Sequence, residues 1–124
     1  MFPVEKKVHL LQKITEPFGH RVEVVTIEGL LVDFMKEEKV DFFIRGIRSY
    51  ADLDSEITMG VINRRLSGKE TVLLTASTNR VHISSSYIRE LASYQKRLDN
   101  FVPKAIEDEV YEHLFDYYRD LHSK

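Results

Sequence analysis

The sequence predicts a doubly wound α/β fold, a parallel sheet with helices on both faces, in a single domain spanning residues 1–124. Three observations predict it. Short apolar, β-branched runs alternate with amphipathic stretches, the pattern of parallel strands joined by right-handed helical crossovers. Hydrophobic residues make up 43% of the chain and charged residues 31%, the balance of a compact soluble domain. No repeat, low-complexity tract or linker divides it.

From the N-terminus, Val4, Val8, Leu11, Ile14 and Phe18 recur at three- and four-residue steps, predicting a helix that stops at Gly19. Val22–Ile27 is a β-branched run and reads as a buried strand. Leu30–Lys39 is helical again, and Val40–Ile44 is a second strand that stops at Arg45-Gly46. Asp52–Leu66 carries Leu53, Ile57, Gly60, Val61 and Arg64 on one helical face. Thr71–Thr75 reads as a third strand, Ala76–His82 as a polar loop, and Ser84–Tyr94 as a helix entered through three hydroxyl residues. The last helix starts after Pro103, which suits a first-turn position. The chain opens on a helix where a parallel sheet normally begins with a strand whose loop helps to build the ligand crevice.

Composition narrows the chemistry. Lys and Arg number 18 against 20 acidic residues, for a formal net charge of -2, so nucleic acid is not an expected partner and an anion site must come from local clustering. With no cysteine, disulfides, a thiol nucleophile and thiolate metal ligands are excluded. Neither an apolar run of about 20 residues nor a signal-like N-terminus is seen, and the expectation is a cytoplasmic protein that does not enter membranes.

Ligands of open α/β sheets bind at the carboxyl ends of the strands, which directs attention to Arg45 and Arg48. Gly46 is expected to let the backbone turn sharply between them, and two guanidinium groups can fork onto phosphate oxygens. The competing reading is a solvated loop whose arginines pair with Asp52 or Asp54. Ser84, Ser85 and Ser86 sit where a loop becomes a helix, so free N–H groups and the dipole favour an anion there. Serine is also the ordinary N-cap, which one member of the triplet satisfies. Arg89 in the first turn places a cation where the dipole disfavours it, which a polyphosphate would explain. The histidines show no metal-like spacing, Phe18-Gly19-His20 falls at the end of a helix, and Tyr111, Tyr117 and Tyr118 fit packing of the last helix or a subunit contact.

In their order, Phe42-Phe43-Ile44-Arg45-Gly46-Ile47-Arg48, then Asp52, Glu56 and Asn63-Arg64, then Ile83-Ser84-Ser85-Ser86-x-Ile88-Arg89-Glu90, then Asn100-Phe101-Val102-Pro103 resemble the bacterial phosphopantetheine adenylyltransferases. Met1-Phe2-x-x-Glu5 resembles that family's approach to its first long helix, so the resemblance covers essentially the whole chain. It implies a Rossmann-like nucleotidylyltransferase fold and transfer of the adenylyl group of ATP to 4'-phosphopantetheine, giving dephospho-coenzyme A and pyrophosphate. It further implies that Arg45 holds the phosphopantetheine and Leu31 lines its pocket. Gly46, Ile47, Arg48, Glu56 and the stretch Arg80, Val81, His82, Ile83, Ser84, Ser85 and Ser86 would contact ATP, with Mg2+ accompanying the nucleotide. A hexameric homo-oligomer is implied as well.

The family also opens on a strand and a T-F-D-P-x-x-x-G-H loop followed by a lysine, which this sequence does not show. The expectation is an N-terminally truncated domain with no retained catalytic histidine or lysine and impaired turnover. The I-S-S-S element is shared with nicotinate mononucleotide adenylyltransferases, which form the alternative within enzymes. A non-catalytic nucleotide-binding remnant is the alternative outside them.

Overall fold

A computed structural model describes residues 2–123 of the chain. Their contacts divide them into two compact units, residues 27–82 and residues 2–26 with 83–123.

The second of these is helical. α1 runs Val4–Thr15 and passes into a 3-10 turn at Glu16–Arg21. The predicted helix reached Phe18 in one piece. Pro17 accounts for the break, because it offers no N–H to the carbonyl four residues back. Gly19 then takes φ 57°, ψ -138°, a conformation open to glycine. α4 covers Ser85–Ser93, a 3-10 turn covers Lys104–Ile106, and α5 covers Glu107–His122. The core of this unit joins Leu10 of α1, Ala92 of α4, Leu98, Ile106, and Val110 and Leu114 of α5. Leu98 is fully buried. Of the three tyrosines read as packing the last helix or a subunit contact, Tyr111 and Tyr118 pack partly against this core, whereas Tyr117 is exposed and meets Tyr118 edge-on at 5.2 Å. At its rim Glu109 of α5 receives Lys6 at 2.7 Å, His9 at 3.1 Å and Lys13, all from α1. The two ammonium groups hold its carboxyl down at about 2, Lys13 contributing most.

Residues 27–82 form a βαβ unit. α2 spans Leu31–Glu37, β1 Phe43–Ile47, α3 Tyr50–Ser67 and β2 Thr71–Thr75. The strands pair in parallel, from Phe43 opposite Thr71 to Ile47 opposite Thr75. Odd-numbered strand residues share the face that α3 covers: Phe43 is buried, Arg45 reaches Glu56 of α3, and Thr71 lies against Gly60. The other face carries Ile44, Val72 and Leu74, all exposed. α3 begins at the Ser49 cap, whose hydroxyl accepts the Asp52 N–H at 3.2 Å, and ends at Gly68 with φ 72°, the usual start and stop signals.

Two expectations about strands are corrected. Val22–Ile27 is not a strand: no neighbouring strand pairs with it, and Val22, Val25 and Ile27 remain exposed. A β-branched run becomes a strand only where a second backbone supplies its hydrogen bonds. The predicted strand Val40–Ile44 lies three residues later, at Phe43–Ile47, because the ladder is set by the register with β2. Thr71–Thr75 occupies the predicted residues.

Candidate functional site

β1 and β2 end side by side, Ile47 opposite Thr75, and Ala76 N–H donates to the Ile47 carbonyl at 2.9 Å. Beyond this edge opens a hollow of about 290 Å3 lined by Ile47, Arg48, Tyr50, Leu53, Thr75 and Ala76. It lies outside the carboxyl ends of parallel strands and at the N-terminus of α3, where an open α/β sheet binds ligands.

The register shift moves the expected arginine loop. Arg45, Gly46 and Ile47 lie inside β1, and Arg48 alone follows the strand. Gly46 therefore makes no turn; its ladder partner is Leu74, and a methyl group placed on it would meet nothing within 4 Å. The chain turns at Arg48-Ser49, where the α3 cap begins.

Arg45 forks onto Glu56, Nε donating to Oε2 and Nη2 to Oε1, both at 2.9 Å. This bond raises the Arg45 pKa further and lowers that of Glu56. The Glu56 side chain is only 17% exposed while that of Arg45 is 55% exposed, so the carboxylate acts as an anchor and the cation faces outward. Two of the five guanidinium donors are spent on the fork, leaving the rest for an anion. Arg48 donates its backbone N–H to Asp52 Oδ2 at 3.0 Å and its Nε to the same oxygen at 3.2 Å. The N–H, then the guanidinium, lower the Asp52 pKa. The expected pairing with Asp52 is thus present, and it orients Arg48 beside the hollow. Leu31 is the first residue of α2 and is partly exposed.

The loop after β2 closes a turn through Arg80 N–H to the Ser77 carbonyl at 2.8 Å, with Ser77 Oγ donating to Asn79 Oδ1 at 2.8 Å. Arg80, Val81 and His82 are exposed and Ile83 is half-buried. In the helical unit, Ser84 is the N-cap of α4 and its Oγ accepts the Tyr87 N–H at 3.2 Å. Ser85 and Ser86 are exposed in the first turn, where N–H groups precede the helical ladder. One serine of the triplet, Ser84, serves as the cap. Arg89 donates to Ser86 Oγ at 3.3 Å instead of pairing with Glu90, which places its charge near the helix N-terminus.

Sequence reasoning did not single out Tyr50, Leu53, Thr75 or Ala76. Ser49-x-x-Asp52 carried the signal for a helix start at Tyr50, but Thr75 and Ala76 join the hollow only through strand pairing. Among the described residues no group of three or more His, Cys, Asp or Glu could hold a metal ion, and no helix is long and apolar enough to cross a membrane.

A family model described as cytidylyltransferase-like matches residues 1–91. A phosphopantetheine adenylyltransferase of Clostridium perfringens strain 13 is 40% identical over 115 residues, 92% of this chain and 70% of the relative. That of Aquifex aeolicus is 37% identical over 112 residues, covering 90% and 69%. A third, from Bacteroides fragilis, is 38% identical over 108 residues, covering 86% and 70%.

Proposed function

The chain belongs to the phosphopantetheine adenylyltransferase family, and from that premise we propose how its own residues serve adenylyl transfer from ATP to 4'-phosphopantetheine. The products are dephospho-coenzyme A and pyrophosphate. The observation that carries the reading is Arg48, held by Asp52 just past the carboxyl end of β1 and lining a hollow of about 290 Å3, with Arg45 fixed on Glu56 three residues earlier, inside the strand.

The acceptor phosphate attacks the α-phosphorus in line, the new P–O bond forming as the bond to pyrophosphate breaks. Such a transfer needs no enzyme nucleophile; it needs two anions held in line and their charge offset. Arg45, held by Glu56, takes the phosphopantetheine phosphate, and Leu31 lines the acceptor pocket. Gly46, Ile47 and Arg48 contact ATP, as do Glu56 and Arg80, Val81, His82, Ile83, Ser84, Ser85 and Ser86. The N–H groups and hydroxyls of Ser85 and Ser86 suit phosphate oxygens. Mg2+ would accompany the triphosphate, where it would offset the charge of the phosphate oxygens; Asp52 and Glu56 are engaged by arginines. One nucleotidylyltransferase-like domain over residues 1–124, a cytoplasmic setting and a homo-oligomer complete the proposal. The nicotinate mononucleotide alternative is not favoured, since the relatives named above are phosphopantetheine enzymes.

The test is direct. ATP affinity is measured by calorimetry for the wild type and for Arg48→Ala and Ser85→Ala, with circular dichroism as the folding control. Both substitutions are expected to weaken binding by roughly tenfold, the loss of a charge-assisted bond. Unchanged affinity in both, with the fold intact, removes the loops from the nucleotide site. Incubation with ATP and either acceptor, scored by mass spectrometry of the adenylylated product, separates the two enzyme readings.

A further inference from the structure

Tyr50 is the first residue of α3, two positions past Arg48, and it lines the hollow beyond the β1–β2 edge. It is 91% exposed, more than any other large apolar residue among those described. An aromatic ring left so open gains by covering a second flat apolar surface. The hollow itself suits a ring more than a charge. Ile47, Leu53, Thr75 and Ala76 bring aliphatic groups to it, and the Ser49 hydroxyl already accepts the Asp52 N–H. Arg48 is the one charged residue among the described residues of its lining. At about 290 Å3 the hollow lies at the small end of ligand pockets, with room for one part of a nucleotide and not for the whole.

We propose that Tyr50 is the base-stacking residue of the nucleotide site, its ring closing over the adenine of ATP seated in the hollow while Arg48 holds the phosphates. The inference rests on the ATP reading of Arg48 and adds the group that grips the other end of the nucleotide. A cation beside an aliphatic hollow matches a ligand with one anionic end and one flat apolar end. Adenine presents such a face, and an aromatic side chain stacks on it without reading the edge of the base. Of the two substrates only ATP carries a ring of this kind. The pantetheine arm is a flexible, amide-bearing chain, and an aliphatic hollow would leave its amides short of partners.

ATP, inorganic tripolyphosphate and 4'-phosphopantetheine are titrated by calorimetry into the full chain and its variants, with circular dichroism verifying the fold. Tyr50→Ala is expected to weaken ATP binding by roughly tenfold or more, the usual effect of losing a stacked base, and to leave tripolyphosphate and 4'-phosphopantetheine binding unaltered. Tyr50→Phe retains ATP affinity, because the ring stacks and the hydroxyl does not. The chain has no tryptophan, so Tyr50→Trp supplies a single fluorophore, which ATP and adenosine are expected to quench and tripolyphosphate is not. Unchanged ATP affinity in Tyr50→Ala overturns the inference, as does an equal loss of tripolyphosphate binding or a fluorophore indifferent to adenosine. If Arg48→Ala weakens ATP binding and Tyr50→Ala does not, the nucleotide site stands and the stacking role alone falls. If neither variant alters ATP binding, both fall.

Discussion

Thr71→Val tests the packing of α3 on the sheet. Thr71 Oγ1 is buried with no hydrogen-bond partner among the described residues, and a Cβ built on Gly60 would lie 3.5 Å from it. A buried hydroxyl without a partner costs about 1–3 kcal/mol in protein mutational data. Valine has nearly the same shape, carries no hydroxyl and favours a strand at least as well as threonine. The ladder of β2 against β1 uses backbone groups only, so the substitution leaves it intact. Removing the orphaned hydroxyl is therefore expected to stabilise the chain by about 1 kcal/mol, the low end of that range because a solvated unfolded threonine is lost as well. In urea unfolding followed by circular dichroism, the midpoint rises with the slope unchanged. A midpoint that falls, or stays within error, would refute the account: Oγ1 would then have a partner or water in solution.

Three further predictions follow from the same reasoning. The Glu109 carboxyl is held at about 2 by Lys13 and Lys6, below the ordinary carboxylate value, so its contribution to stability is present above about pH 4.5 and is lost as the pH falls toward 2. Glu109→Gln is expected to flatten the decline of the urea midpoint across that window, and an unchanged slope contradicts the ion-pair cluster. Ser84→Ala removes the α4 cap and costs about 1 kcal/mol, whereas Ser85→Ala leaves the unfolding midpoint within about 0.5 kcal/mol of wild type while weakening ATP binding; equal loss of stability in both would reject the division of labour within the triplet. Glu56→Gln loosens the forked Arg45 without removing its charge. Calorimetry is expected to show 4'-phosphopantetheine affinity falling by roughly tenfold, and an unaltered affinity shows that Glu56 does not position Arg45.

The elements whose ends are written in local chemistry were legible before the fold. Thr71–Thr75 is bounded by a glycine turn and a polar loop, and α4 by its serine cap. The elements that depend on remote partners were not. Val22–Ile27 has strand composition but no pairing, and β1 begins three residues late because Phe43 meets Thr71. The same effect governs the site. The Arg48–Asp52 pair is an i,i+4 contact and could be anticipated from spacing, whereas the Arg45–Glu56 fork requires a strand and a helix to be packed together.

The sequence by itself determined the family, through the order of its arginine, serine and F-V-P elements, and it named the candidate ligand residues. It also determined that one serine of the triplet could cap a helix, since capping is settled within three residues, and the structure assigns that place to Ser84. Tertiary structure decided where those residues lie: parallel pairing placed Gly46 inside a strand instead of a turn and brought Thr75 and Ala76 to the hollow beside Arg48. The physical reason is range. Capping and turn preferences act over one helical turn, but strand register and helix-on-sheet packing join residues tens of positions apart, and no local pattern encodes that distance.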